Sequence, residues 1–170
     1  MLKSFSALVI FCLILLFHAA AFADVLLIDK YPQQEWLINA GANIYYQPNK
    51  EVLIKKFSET PEWAEVILEV DTIDLARDNI LKFNVINLKG QYAVDIYFNK
   101  PGNAQELGDF VRIQEFTSAL GAKEYNVSNA LRMEGFDQEG VAIHFLVADP
   151  VNAPATAMVT LNNLSFGPSD

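Results

Sequence analysis

The feature that most constrains this chain is a two-residue alternation of apolar side chains, repeated in short runs between turn signals. In "WAEVILEV", Ala64, Val66, Leu68 and Val70 fall on one side and Trp63, Glu65, Ile67 and Glu69 on the other. The same phase separates Leu81, Phe83 and Val85 from Lys82 and Asn84 in "ILKFNV", and Tyr92, Val94, Ile96 and Phe98 from Ala93, Asp95 and Tyr97 in "YAVDIYF". In "VAIHFLV" it sets Val141, Ile143, Phe145 and Val147 against Ala142, His144 and Leu146. A period of two belongs to a strand with one dry face, and it excludes an amphipathic helix in these runs. Turn signals recur at "QPNK", "SETPE", "LKGQ", "NKPGN" and "DPVNAP", the rhythm of an all-β sandwich or barrel. The span 104–121 reads two ways, as a short helix carrying Leu107, Phe110 and Val111 or as a strand "FVRIQEF"; the strand is favoured.

The start of the chain obeys other rules. Lys3 precedes an apolar run, Ala7–Phe17, and then "HAAAFA". That is the order of a secretory signal, with small Ala21 and Ala23 placed for cleavage before Asp24. The run is well short of the roughly 20 residues that span a bilayer. We therefore expect a signal helix over 1–23, a single mature β domain over 24–170, export to a periplasmic or extracellular space, and no membrane insertion after cleavage. The only cysteine, Cys12, lies in the signal, so the mature domain has neither a disulfide nor a thiol nucleophile. Twelve basic residues against 21 acidic ones give a net charge of −9 and argue against nucleic acid as a partner, since a phosphate backbone is met by clustered Lys and Arg. The sequons at Asn126 and Asn163 matter only in a host that glycosylates.

The order of elements resembles a known family. An opening "VLLID", a Trp-bearing loop at Trp36, the long run from Trp63 to "DTIDL", "ILKFNV" and a closing "MVTLNNLSF" are similar to the galactose-binding-like jelly roll, the scaffold of many carbohydrate-binding modules. The resemblance implies an antiparallel β-sandwich (jelly roll) and a glycan ligand. Family members often hold a structural calcium through a carboxylate in the closing strand; here no cofactor or metal is expected, and Asp29 near the first strand and Asn162 in the closing strand are the weak calcium candidates. Asn162 departs from the family's usual carboxylate, which lowers the expected affinity for Ca²⁺. The phase of the closing strand breaks between Leu161 and Leu164, so one residue is extra there, as at a β-bulge.

Three functions follow from the residues. If the four alternating strands share a sheet, their outward positions pool Trp63, Glu65, Glu69, Lys82, Asn84, Asp95, Tyr97 and His144. An aromatic ring can then cover the apolar face of a sugar while amides and carboxylates take its hydroxyls. Trp36, Tyr45 and Tyr46 form a second aromatic patch. A non-catalytic glycan-binding domain is the first expectation, with Trp63, Glu65, Lys82, Asn84, Asp95 and Tyr97 as contacts. An assembly ectodomain binding a surface protein is the second. The third is a small glycoside hydrolase using Glu69 and Asp71, because Glu69-Val70-Asp71-Thr72-Ile73-Asp74 resembles the acidic triplet of some jelly-roll glycosidases. Alternate residues on a strand lie about 6.5 Å apart at Cα, compatible with the ~5–5.5 Å that retaining chemistry asks of two carboxyls. Against this, Asp74 is out of phase, and "TIDLARDN" reads as a capped turn between two strands, with Thr72 or Asp74 capping it. His144 is expected to be an ordinary surface residue on the outward side of its strand.

Overall fold

The computed structural model describes residues 24–39, 41–57, 62–99, 107–127, 139–149 and 157–168, so the signal helix expected over 1–23 lies outside the described residues. Chain order begins with β1 (Val25–Leu26), a single helical turn α1 (Leu27–Lys30), a 3-10 turn (Gln33–Glu35) and β2 (Trp36–Ile38). It continues through β3 (Ala42–Gln47), β4 (Glu51–Lys56), β5 (Trp63–Asp74), β6 (Ile80–Lys89) and β7 (Gln91–Asn99). β8 (Leu107–Thr117), β9 (Gly121–Asn126), β10 (Glu139–Ala148) and β11 (Met158–Gly167) close it. The strand reading of "FVRIQEF" is thus borne out by β8, while residues 104–106 lie outside the described residues. No described helix is long and apolar enough to cross a membrane.

The strands form two antiparallel sheets. One has the order β3-β4-β11-β6-β9, with β1 pairing β11 at Val25–Phe166, beyond the stretch that β4 covers. The other has the order β2-β5-β10-β7-β8. The inward sets read from the alternation meet between them: Ala64, Val66, Leu68, Val70, Val141, Ile143, Phe145 and Val147 from one sheet, with Leu81, Phe83 and Val85 from the other, are all buried. Each such Val, Leu, Ile or Phe side chain taken from water contributes about 1.5–3 kcal/mol, which lets a chain with one cysteine hold two sheets together. Phe83 of β6 meets Phe145 of β10 edge-to-face, with centroids 5.6 Å apart, and Tyr92 of β7 at 6.4 Å, so aromatic pairs tie the layers. Burial pushes the Tyr92 hydroxyl up to about 12.

Two local features decide what ends up where. Lys89 and Gln91 flank Gly90, which has φ +89° and whose backbone packs under Ala148; a Cβ there would come within 2.4 Å of the Ala148 carbonyl oxygen. That glycine turns the chain out of one sheet and into the other, so β6 and β7, consecutive in sequence, never pair. The second is the bulge in β11. Asn163 has φ +54°, and the register with β6 slips between Asn162 and Ser165, the extra residue that the hydrophobic phase required.

Candidate functional site

The outer side of the five-stranded sheet is laid out by register. Leu146 lies between Glu65 and Ala93; His144 between Ile67 and Asp95, with Arg112 beyond Asp95; and Ala142 between Glu69 and Tyr97, with Phe110 beyond Tyr97. Successive rows are about 7 Å apart, two residues along a strand. β8 supplies Phe110 and Arg112 because its alternation turns Val111 and Ile113 toward the core.

Most of the polar groups on this face are tied to one another. Arg112 donates through Nε and Nη2 to the two carboxylate oxygens of Asp95, at 2.7 and 2.9 Å, a bidentate pair whose acidic partner is almost inaccessible. That carboxylate holds the guanidinium above its ordinary range, against the effect of burial. Arg112 also lies 5.7 Å over the Phe116 ring and 3.6 Å from Glu115. Glu65 sits between two partners: His144 Nδ1 is 2.6 Å from one oxygen, and the Asn39 amide donates to the other. The His144 hydrogen bond, outweighing desolvation, holds the Glu65 carboxyl below the usual range. Tyr97 stacks over the imidazole at 3.9 Å between centroids and against Phe110 at 5.3 Å. Burial, seconded by Asp95 and Glu65, raises the Tyr97 hydroxyl, which therefore stays protonated at neutral pH. Phe110 is 50% exposed, so the three-ring stack runs from a buried histidine out to solvent.

Of the residues expected together, Glu65, Glu69, Asp95, Tyr97, His144 and Trp63 do share this face. Trp63 is 43% exposed, but it pairs with Ala148, three rows from Tyr97. Lys82 and Asn84 are not there. They point outward from the other sheet because the corner at Gly90 separates β6 from β7; Lys82 approaches Asp24 at 3.3 Å, and Asn84 donates to Asn162. His144 is not a surface residue either: at 2% exposure it is sealed under Tyr97. The second aromatic patch divides. Trp36 is buried against Phe145 and donates to the Tyr46 hydroxyl, which donates to the Tyr31 carbonyl, whereas Tyr45 is exposed on β3.

The acidic triplet is split as well. Glu69 is exposed, the side chain of Asp71 lies outside the described residues, and Asp74 accepts from the Ala76 amide and closes a turn through its carbonyl to Asp78. Of the calcium candidates, Asp29 pairs with Lys50 at 2.6 Å and the Asn162 oxygen accepts from Asn84. Sequence reasoning did not single out Phe110 or Arg112. The signal was present in "FVRIQEF", where they alternate with Val111 and Ile113, but only four other strands were pooled into the outward face.

No protein-family model matches the chain, and no curated protein does. Solved structures share its shape. The family 11 carbohydrate-binding module of a cellulosomal cellulase of Clostridium thermocellum superposes with a TM-score of 0.60 at 14% identity, over 88% of this chain and 97% of that one. A family 61 carbohydrate-binding module in complex with β-1,4-galactotriose matches with a TM-score of 0.46 at 10% identity, over 84% of this chain and 94% of its own. The tailspike protein 4 of bacteriophage CBA120 matches with a TM-score of 0.47 at 12% identity, over 84% of this chain and 20% of its own. The first likeness establishes the fold, a jelly-roll β-sandwich of the kind carbohydrate-binding modules have.

Proposed function

We propose that this chain is an exported, non-catalytic domain that binds a saccharide on the outer face of its five-stranded sheet. The observation that carries the reading is the exposed Phe110 ring stacked on Tyr97 beside a fixed set of hydrogen-bonding groups, Arg112 with Asp95 and Glu65 with His144. Aromatic faces cover the C–H surface of a pyranose, and donors and acceptors held by their own partners select among its hydroxyls. A fold shared with a carbohydrate-binding module supports the assignment. Glu69, at the rim of the same row as Tyr97, and Trp63, farther along the sheet, extend the face to several sugar rings. The likeness to the acidic triplet, on which the hydrolase alternative with Glu69 and Asp71 drew, loses its third member, because the Asp74 carboxylate accepts from the Ala76 amide in the turn that follows β5.

Affinity electrophoresis of the mature chain through gels containing neutral polysaccharides tests this directly. One or more should retard it, and Phe110→Ala should weaken that binding about tenfold or more, the cost of truncating an aromatic anchor. Equal mobility in every gel would refute the reading.

A second reading is favoured by one observation. The short edge strand β2 leaves Leu37 and Ile38 51% and 49% exposed, an apolar edge suited to a protein partner. Cross-linking in the native envelope, lost in Leu37→Ser/Ile38→Ser with saccharide binding intact, would support it.

A further inference from the structure

His144 is buried on the outward side of its strand, so each ring nitrogen must be accounted for. Nδ1 lies 2.6 Å from a Glu65 oxygen. The other Glu65 oxygen accepts from the Asn39 amide, so the carboxylate is held from two sides and acts only as an acceptor. The hydrogen of that contact therefore sits on Nδ1. In a neutral imidazole the second nitrogen then carries a lone pair, and Nε2 of His144 is buried with no hydrogen-bond partner among the described residues. Tyr97 covers this ring at 3.9 Å, and Phe110 backs Tyr97, so the unpartnered atom lies under the aromatic surface assigned to the sugar.

We propose that His144 Nε2 is the hydroxyl-reading atom of this face: a sugar hydroxyl donates to it when Tyr97 shifts off the imidazole, and Glu65 and Asn39 are positioning residues that fix the tautomer. The inference rests on the saccharide reading above and adds the ligand's chemistry to it. A bare ring nitrogen needs a donor. Neutral saccharides offer hydroxyls, whereas a uronate carboxylate or a sulfate brings only lone pairs, and brings them against Glu65, Glu69 and Asp95. The ion pair with Asp95 occupies the Arg112 donors nearest the floor, which leaves less to attract an anion.

The test is made on the ¹⁵N-labelled mature chain over a series of pH values, and the neutral form of His144 is identified from its own nitrogen shifts. The imidazole nitrogens are followed by long-range proton–nitrogen correlation. Probes are β-1,4-linked oligosaccharides of galactose, glucose, xylose and mannose, with trigalacturonate as the acidic arm. Before addition, Nδ1 should resonate as a protonated nitrogen and Nε2 as a bare one. A bound neutral saccharide should move Nε2 toward the hydrogen-bonded range and leave Nδ1 in place. His144→Phe, which keeps a ring under Tyr97 and removes the nitrogen, should weaken binding about tenfold. Glu65→Gln should also weaken it, by allowing the opposite tautomer. An unmoved Nε2 in the presence of a saccharide whose binding needs Phe110 would overturn the inference and leave the sugar face standing. So would undiminished binding by His144→Phe, or tightest binding by trigalacturonate. If no probe binds at all, the saccharide reading falls and takes this one with it.

Discussion

Replacing Arg112 with methionine removes one partner of an ion pair whose other member has nowhere to go. The Asp95 side chain is 5% exposed and receives two donors from Arg112, which is itself 30% exposed. Breaking a fully buried pair costs about 3–5 kcal/mol because the remaining charge is stranded. Solvent already reaches the guanidinium, so part of that attraction is screened, and the expected loss is roughly 2–3 kcal/mol. For a chain of this size that corresponds to a fall in Tm of about 4–12 °C. Urea unfolding followed by tryptophan emission reads it, because Trp36 is buried against Phe145. Asp95→Asn should cost only ~1 kcal/mol, since the guanidinium it releases can hydrate. The double variant Asp95→Leu/Arg112→Met should recover most of the loss, because no charge is left without a partner. The reasoning is refuted if Arg112→Met is no more damaging than Asp95→Asn, or if the double variant is as unstable as Arg112→Met alone.

Other expectations follow from single features of the structure. Since His144 lowers the folded-state value of Glu65, its contribution to stability is full above the ordinary carboxylate value of 4.5 and lost as pH falls through the lower folded value. The urea midpoints of wild type and Glu65→Gln should therefore differ at neutral pH and converge in acid; a constant gap would contradict the linkage. Asn163→Gly should stabilise the chain by a few tenths to 1 kcal/mol, because φ +54° is a left-handed conformation that glycine adopts at less cost. Gly90→Ala should cost about 3 kcal/mol or more, combining backbone strain at φ +89° with overlap on the Ala148 carbonyl, read as a lowered thermal midpoint.

What could be read from the chain was whatever has a two-residue period. Side-chain alternation is a local property, so the inward sets of β5, β6, β7 and β10 and the slipped phase at Asn163 were visible in the letters. Sheet membership is not local. Ile80–Lys89 and Gln91–Asn99 look like the arms of a hairpin, and only the approach of Gly90 to Ala148, a contact across 58 residues of chain, sends them to different sheets. Lys82 and Asn84 were misplaced for that reason. The burial of His144 was equally hidden, because it depends on Tyr97 in the same sheet and on Glu65, 79 positions away.

The two outward sheet faces differ in a way that bears on function. On the six-stranded sheet the outward charges Lys55, Lys89 and Glu124 are exposed and hydrated and contribute little, while the outward polar residues buried there, Thr160 and Ser165, carry no charge. On the five-stranded sheet Asp95 and His144 are 3% and 2% exposed, and both are held by partners from neighbouring strands. Solubility needs no such arrangement, since burying a carboxylate costs free energy that the same sequence avoids on its other face. Tyr97 walls this dry floor of fixed polar groups, and Phe110 opens it to solvent. The saccharide proposed above would meet this floor, and Leu37, which pairs with Ile67 at the end of the His144 row, carries the apolar edge of the second reading onto the same face.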